Sequence, residues 1–561
     1  MADKPDVIIV GGGLGGGLAA WQLTQYGKSV VVLEEGDRPN AEVPGGGIKS
    51  RLQRQINKRL GRAPAEGSET LRYYLAEDDS DRLKPVSIEL GRGLGGSSAL
   101  YSAALGRMRR SDFEGDKSSL ISDPDALPNQ WPLDFDRFRS YYRRVESLMR
   151  VRGDRDPADP DDDSQTPAAP PLGPGALSMD EALRANGLSP YRLRVGIDYV
   201  AGCKECFGKR CPFDCKADGY SRGIRLAELS GGLRVETRAR VIELAQTDDG
   251  VTVTYEDSGG SQRQLTAHRV VMAAGALNSP LILARSRALW RDVPYPRMLG
   301  RGLMFHVSDL FMVVGRKHRR EDRGPRKWLA IRDFYNDGRI NVGEIQSTGF
   351  SCTTGLVMSV LRSKWSKLAR GPGLILFDAI RPIVWLAANI VGRQPIVATI
   401  TEDLPFARNH VREEDGKVVV SYHPSVGLQS HSRRARARLR KAFAPYHLMF
   451  VSKPGMPNWG HPMGTCRMGT DHETSVTDAE GRLHGHPNIL VADASVFPSS
   501  GGTGPALTAA ALGIRCADII AADLAWQNSE NLAVAAVWSK TGHACHAVRT
   551  MSVYGSDGKD T

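Results

Sequence analysis

Near the N-terminus an apolar, β-branched run, Val7-Ile8-Ile9-Val10, empties into a seven-residue turn in which only Leu14 is not glycine. Such a run reads as a buried parallel strand. A helix-like segment follows from Leu18 to Tyr26, and then a second apolar strand from Ser29 to Leu33. Gly11-x-Gly13-x-x-Gly16 gives the turn its logic. The first glycine makes the tight turn, the second lets backbone approach a pyrophosphate, and the third lets helix pack against strand. The helix N-terminus adds free N–H groups and the positive end of a dipole. Glu34 closes the second strand, where an acidic residue takes ribose hydroxyls. Strand, turn, helix, strand and acid fall in register, so the chain opens on a dinucleotide-binding unit. The pattern alone does not separate FAD from NAD.

A chain of 561 residues has room for two or more domains with substantial cores. Its formal net charge of +11 is spread out, and no nucleic-acid module is recognisable. The one dense basic run, Arg433 to Lys441, reads as a solvated helix face, with a membrane surface or nucleic acid as the minority reading. No uninterrupted apolar run reaches membrane-spanning length. The nearest, Leu374 to Val391, is broken by Asp378, Arg381 and Pro382 and reads as a core or amphipathic helix, with peripheral membrane contact as the alternative. The first strand begins by residue 6 or 7 with no apolar signal segment before it, which predicts a cytoplasmic protein. Eight cysteines in a chain this size are not a disulfide scaffold.

Residues 37–90 are mixed and polar, with a turn at Gly45-Gly46-Gly47. A second Gly-rich stretch, GRGLGGSS at 91–98, suits backbone lying flat against a ligand and offering N–H and O–H groups. Trp131-Pro132 leads into a helix through Tyr141, Tyr142, Val145 and Leu148. Residues 152–175 are rich in Asp and Pro and read as a surface loop or disordered insert, not an acidic active site. Cys203, Cys206, Cys211 and Cys215 follow at C-x2-C-x4-C-x3-C spacing. Four thiols so close could hold zinc or an iron–sulfur cluster. The spacing matches neither the common ferredoxin run nor a ribbon of paired C-x2-C units. Free or partly buried thiols shaping a loop are the preferred reading, and no metal ligand is assigned.

From Leu233 to Val271 the chain alternates like an antiparallel meander with turns near Asp248-Asp249-Gly250 and Ser258-Gly259-Gly260. It ends in VVMAAGALNSP at 270–280, a second strand-to-helix corner. Candidate strands Leu310–Val314, Trp328–Asp333, Asn341–Gln346, Ile396–Thr401 and Val418–Tyr422 predict a separate antiparallel sheet. HPMGTCRMG at 461–469 and NILVADASVFP at 488–498 return the chain to the first domain. A helix from Pro505 to Leu524 follows, and in the tail the cluster His543, Cys545 and His546 reads as incidental.

Taken in order, the dinucleotide loop with Glu34, the 91–98 loop, Trp131-Pro132, and the motifs at 270–280, 461–469 and 488–498 resemble the glucose–methanol–choline (GMC) family of FAD oxidoreductases. The resemblance covers about residues 5–525. CPFDCK at 211–216 with TEDLP at 401–405 is similar to a bacterial choline-dehydrogenase-like branch with diverse substrates. The implied fold is α/β, a Rossmann-like FAD-binding domain joined to an α+β domain built on an antiparallel sheet. The implied division is 1–305 for the FAD domain with insertions, 306–454 for the substrate domain, 455–525 for the return, and 526–561 for a tail. FAD is the implied cofactor. Gly11, Gly13, Gly16 and Glu34 would hold its adenosine half. Gly95, Gly96 and Ser97 would line the pyrophosphate and flavin edge, and Asp493 would meet the pyrophosphate–ribityl region. Leu100 stands where some members carry a flavin-linking His, which implies non-covalent FAD.

The resemblance also places His461 as the catalytic base that takes the hydroxyl proton of an alcohol while hydride leaves for flavin N5. The partner is then a small-molecule alcohol, with oxygen or a redox protein as electron acceptor. Members of this branch type include enzymes of antibiotic and aminoglycoside assembly, so a sugar or aminosugar hydroxyl is a candidate. Two positions depart from the family pattern. The second His or Asn expected at the start of the last helix is Gly504, and an Asn after the GGSS loop is Tyr101. His461 would then act alone, or with Tyr101, another side chain or a water. Two other readings stand beside alcohol oxidation. One is desaturation or redox-neutral chemistry on FAD, and the other is a flavin-binding protein without turnover.

Overall fold

The computed structural model describes residues 4–39, 72–76, 83–88, 90–115, 123–315, 324–335, 341–349, 358, 379–391, 394–425 and 427–541. The turn at 45–47, residues 374–378 and the 543–546 cluster lie outside them. Met1–Asp518 form one compact unit and Ile519–Thr561 a second. The last described helix, Ala506–Thr541, begins in the first and continues into the second.

The first unit is built around a six-stranded sheet. Its order is Arg482–Leu483, His486–Val491, Arg269–Met272, Val7–Val10, Val30–Glu34 and Leu233–Thr237. All pairs are parallel except the first, and Val7 lies opposite both Arg269 and Val30. The Val7–Val10 strand is covered on both faces, with Val7, Ile8 and Ile9 fully buried, which is why its sequence does not alternate. The helix after it spans Leu14–Gln25 and so starts four residues earlier than its apolar pattern suggests. Glycines fill its first turn because backbone crowds them. A Cβ on Gly15 would stand 1.9 Å from Ala492 O, and one on Gly16 2.2 Å from Gly11 O.

The expected meander is a three-stranded antiparallel sheet of Arg240–Thr247, Gly250–Glu256 and Gln262–Ala267. Leu233–Thr237 does not belong to it and extends the parallel sheet.

A second six-stranded sheet is antiparallel throughout. It runs His447–Phe450, Leu310–Val314, Ile396–Ile400, Glu344–Ser347, Leu329–Ile331 and Tyr191–Arg192. Four of the five candidate strands fall in it. The fifth does not: Lys417–Ser421 makes a hairpin with His410–Glu414 and pairs on its other edge with Arg72–Ala76. Asp415 and Gly416, at φ 50° and 69°, form the two-residue turn that fixes this pairing.

The basic run lies on the helix Leu428–Ala442. It is more than a solvated face. Arg436 is held by Asp309, and Arg438 and Arg440 lie over the rings of Phe334 and Phe450. Of the apolar stretch 374–391, the helix Arg381–Val391 is described, and Ile383, Trp385 and Leu386 on it are exposed. Among the described residues no helix is long and apolar enough to cross a membrane.

The Asp- and Pro-rich segment at 152–175 is folded into the molecule, contrary to the expectation of a disordered insert. Asp156 and Asp162 are buried. Asp162 faces Arg194 at 3.1 Å, and Asp156 faces Arg109 at 2.6 Å and Arg332 at 3.6 Å. Arg107 is bound by Glu146 and Asp163, both at 2.6 Å. The carboxylates that make the segment look disordered are the counter-ions of arginines drawn from distant parts of the chain.

Asp162 also accepts the amides of Asp156 and Ser164. Removing one member of a buried ion pair strands the other and costs about 3–5 kcal/mol. Asp162→Ala is therefore expected to lower the unfolding free energy by about that amount in urea titration. A change within about 0.5 kcal/mol, the size of an ordinary surface substitution, would mean that the segment is not packed as described.

Candidate active site

Two short segments meet to form the site. Met304 and Met463 pair through two backbone hydrogen bonds of 3.0 Å, the Asn458 amide donates to His306 O at 2.7 Å, and the His461 amide donates to Asn458 O at 3.1 Å. This pairing brings His306 and His461 together. Their Nδ1 atoms are 3.0 Å apart and their rings nearly perpendicular, at 84°. His306 is fully buried, and its Nε2 lies 3.1 Å from both Ser500 O and Gly501 O. His461 is partly exposed. Its Nε2 has no protein partner and is not among the polar atoms sealed from solvent. Burial pulls the pKa of His306 down to about 4. Burial and the neighbouring His306 pull that of His461 down to about 3. Both rings are neutral near pH 7, the state in which a histidine can accept a proton.

Behind the histidines lies Asp403. Its Oδ2 accepts the Phe305 amide and the Tyr422 hydroxyl, both at 2.9 Å, and its own amide donates to Ser500 Oγ at 2.8 Å. Phe305 packs edge-on against Tyr422 and Trp459. Asp403 thus ties the residue before His306, held by its carboxyl, to Ser500, held by its backbone, whose carbonyl His306 meets. Burial pushes its pKa up to about 7, against the pull of these donors.

The dinucleotide corner is organised by Glu34. Its Oε2 accepts the Gly12 amide at 2.8 Å, and its Oε1 accepts those of Gly36 at 2.9 Å and Gly93 at 3.0 Å. The 91–98 loop lies directly on the first Gly-rich turn, with the Gly95 amide donating to Gly12 O at 2.8 Å. Gly95 and Gly96 have φ of 96° and 51°, open to glycine at little cost. Ser98 faces inward and accepts the Gly219 amide, whereas Ser97 is exposed and takes that of Gly91. Asp493 caps the turn after its strand through Ser495. It also receives the Gly275 amide at 2.9 Å and the Ser279 hydroxyl at 2.6 Å, which locks the ends of two parallel strands together.

The histidine near His461 is thus His306, which no local sequence signal marks. Within Leu303-Met304-Phe305-His306 it reads as a lone core histidine, and only the pairing of Met304 with Met463 reveals it. Tyr101 is not available as a substitute partner, since its hydroxyl donates to Ala217 O at 2.7 Å. At Gly504 an added Cβ would meet nothing within 4 Å, so the missing side chain leaves open space.

The four cysteines gather as the spacing suggests. Cys211 and Cys215 sulfurs are 3.3 Å apart, Cys215 and Cys203 3.8 Å, and Cys206 is buried in the same cluster. Among the described residues no group of three or more His, Cys, Asp or Glu is arranged to hold a metal ion. The loop rests on the 91–101 segment. The Gly208 amide donates to Leu100 O, and buried Lys216 donates to Ala99 O and Tyr101 O.

A family model described as GMC oxidoreductase matches residues 408–513, and one for an NAD(P)-binding Rossmann-like domain matches residues 9–52. Paromamine 6'-oxidase of Streptomyces fradiae is 28% identical over 560 residues, covering 92% of both chains. The 2-methyl-1,2-propanediol dehydrogenase of Mycolicibacterium austroafricanum is 25% identical, over 92% of this chain and 95% of that one. Among solved structures, pyridoxine 4-oxidase from Mesorbium loti superposes with a TM-score of 0.61 at 19% identity, over 92% of this chain and 99% of that chain. The protein is an FAD-dependent oxidoreductase acting on alcohol groups. Its residues 408–513 match the GMC oxidoreductase model, and GMC-type oxidoreductases are among its relatives, one of Mycobacterium tuberculosis at 25% identity over 92% of this chain.

The dinucleotide corner fits FAD. The helix Leu14–Gln25 has glycine at its N-cap and no side-chain cap, so first-turn amides remain for a phosphate. A Cβ at Gly13 would meet nothing nearer than 3.9 Å, and one at Gly275 nothing within 4 Å, so a ligand can lie close to backbone there.

Asp403 generates a pH prediction. Its pKa in the fold is above the ordinary carboxylate value, so its neutral form favours folding. That contribution is present below about pH 4 and is lost as the pH rises through about 7. Asp403→Asn keeps an oxygen acceptor and removes the titration. The wild-type unfolding midpoint is expected to fall relative to the variant between about pH 4 and pH 8, by up to about 4 kcal/mol in stability. Parallel curves would show that Asp403 does not titrate in this range.

Proposed function

We propose that the protein oxidises a primary hydroxyl of a sugar or aminosugar to the aldehyde, as in antibiotic assembly, with His461 as the base. The observation that carries this reading is a neutral, partly exposed His461 whose Nε2 is unclaimed by the protein while its Nδ1 is held by another ring. Two relatives support the substrate class: paromamine 6'-oxidase, and 6'''-hydroxyparomomycin C oxidase of Streptomyces lividus at 28% identity. The open space at Gly504 supports a substrate bulkier than a simple alcohol.

FAD supplies the hydride acceptor when bound. The chain's part is to hold it and to manage the proton. Gly11, Gly13 and Gly16 let backbone approach the pyrophosphate. Glu34 Oε2, with one amide on it, keeps a lone pair for a ribose hydroxyl. Gly95, Gly96 and Ser97 line the next part of the cofactor. Asp493, already engaged by Gly275 and Ser279, positions the strand ends beneath it. His461 accepts a hydrogen bond from the substrate hydroxyl and takes its proton as hydride departs. In this division of labour residues 1–305 and 455–525 carry the cofactor, and 306–454 supply the substrate side.

His461→Ala is expected to slow substrate-driven flavin reduction by roughly a hundredfold or more with FAD content unchanged. A wild-type rate in single-turnover mixing would remove His461 from the reaction. The second variant, Gly504→Asn, has room for its side chain against the protein. It is expected to bind FAD normally and to hinder the native substrate by occupying space the substrate uses. An unchanged rate and affinity would place Gly504 outside the substrate's reach.

A further inference from the structure

Resting on His461 as the base, we infer that His306 is a positioning residue that fixes which nitrogen of His461 carries the proton. Ser500 O and Gly501 O both lie 3.1 Å from His306 Nε2. A carbonyl can only accept, so that nitrogen must carry a hydrogen. His306 is fully buried with its pKa held down to about 4, so it is neutral and has one ring hydrogen. With that hydrogen on Nε2, its Nδ1 is bare and can only accept.

The group facing that bare nitrogen at 3.0 Å is His461 Nδ1. Two bare nitrogens would repel, so His461 carries its hydrogen on Nδ1 and donates it to His306. Its Nε2, the atom without a protein partner, is then the basic one. The competing arrangement has His461 Nδ1 bare, accepting from Asn458 Nδ2 at 3.4 Å. It would require His306 to donate from Nδ1 and to set a bare Nε2 against two carbonyl oxygens. The 3.0 Å contact between the rings survives in either direction, and one long amide contact does not offset two lone-pair clashes and the loss of the Nε2–H donation to the carbonyls at 3.1 Å.

The direction of the chain matters for proton transfer. When His461 Nε2 takes the substrate proton, the ring becomes a cation with Nδ1–H already pointed at an acceptor. His306 thereby orients the base beforehand and disperses its charge afterwards, without touching substrate. Neither Gly504 nor Tyr101 could do this, the first lacking a side chain and the second engaged with Ala217 O. The departure from the family pattern at those two positions leaves this function to His306.

The test compares His306→Leu with His306→Gln in the FAD-loaded protein. An amide spans about the same O-to-N separation as the two imidazole nitrogens. Gln can donate to the carbonyls of Ser500 and Gly501 while accepting from His461 Nδ1. Leu can do neither. Nitrogen-15 NMR of histidine-labelled protein, with His461 assigned by its loss in His461→Ala, reads the tautomer directly. The expected result is His461 protonated on Nδ1 in the wild type and in His306→Gln, and a mixed or reversed tautomer in His306→Leu. Flavin reduction should stay within about threefold of wild type for Gln and fall about tenfold or more for Leu. Wild-type His461 protonated on Nε2 would overturn the inference, and so would Gln and Leu variants that behave alike at full FAD content. If His306→Leu does not fold, the wild-type tautomer and the Gln variant still decide. Failure of the base reading is separate: it would show as a normal rate in His461→Ala whatever the tautomer.

Discussion

The carboxylate of Glu34 is the interaction from which the cofactor side of the molecule is built. It gathers amides from the first Gly-rich turn, from the end of its own strand and from the 91–98 loop, segments far apart in the chain. A buried carboxylate that accepts three amides is satisfied, and those amides would be costly to leave unpaired. The glycines make the gathering possible. Where Gly15 meets Ala492 O and Gly16 meets Gly11 O, any side chain would force the parallel strands away from the helix. Asp493 performs the corresponding task at the far side by joining its strand to the 275–279 corner.

His461, the proposed base, is brought to this frame by backbone pairing, not by a loop of its own. The 461–469 segment runs beside the residues after Asp493, with Gly464, Cys466 and Met468 amides donating to Ala494, Ser495 and Val496 carbonyls. Its other edge pairs Met463 with Met304 and so imports His306. Asp403, Tyr422 and Ser500 then fix the backbone around His306. His461, its neighbour His306 and the cofactor corner are parts of one hydrogen-bonded construction.

The parallel sheet and the Gly-rich corners were legible in the sequence because each is a local signal: β-branched runs, glycine spacing, an acid at the strand end. Most of the antiparallel sheet was legible for the same reason. Tyr191–Arg192 was not, since two residues carry no periodicity, and Lys417–Ser421 went to another sheet because its hairpin turn settles its partner. Of the two readings of 152–175, surface loop or disordered insert, the structure shows an ordered loop, and composition did not decide between them because it reports charge and not pairing. Its aspartates are neutralised by Arg107, Arg109, Arg194 and Arg332, which no window of sequence brings together. At the site, His461 was singled out by its motif. His306 was not, because what distinguishes it from a core histidine is a backbone pairing across more than 150 residues.

In the proposed function this arrangement removes hydride and a proton from a sugar-borne CH2OH group. Anaerobic mixing of the FAD-loaded protein with a panel of aminosugars such as paromamine tests it most directly, with flavin absorbance and product mass read together. The expected result is bleaching of the flavin by at least one member of the panel and a product lighter by two hydrogens. A flavin that stays oxidised with every such sugar, or a product of unchanged mass, would contradict it.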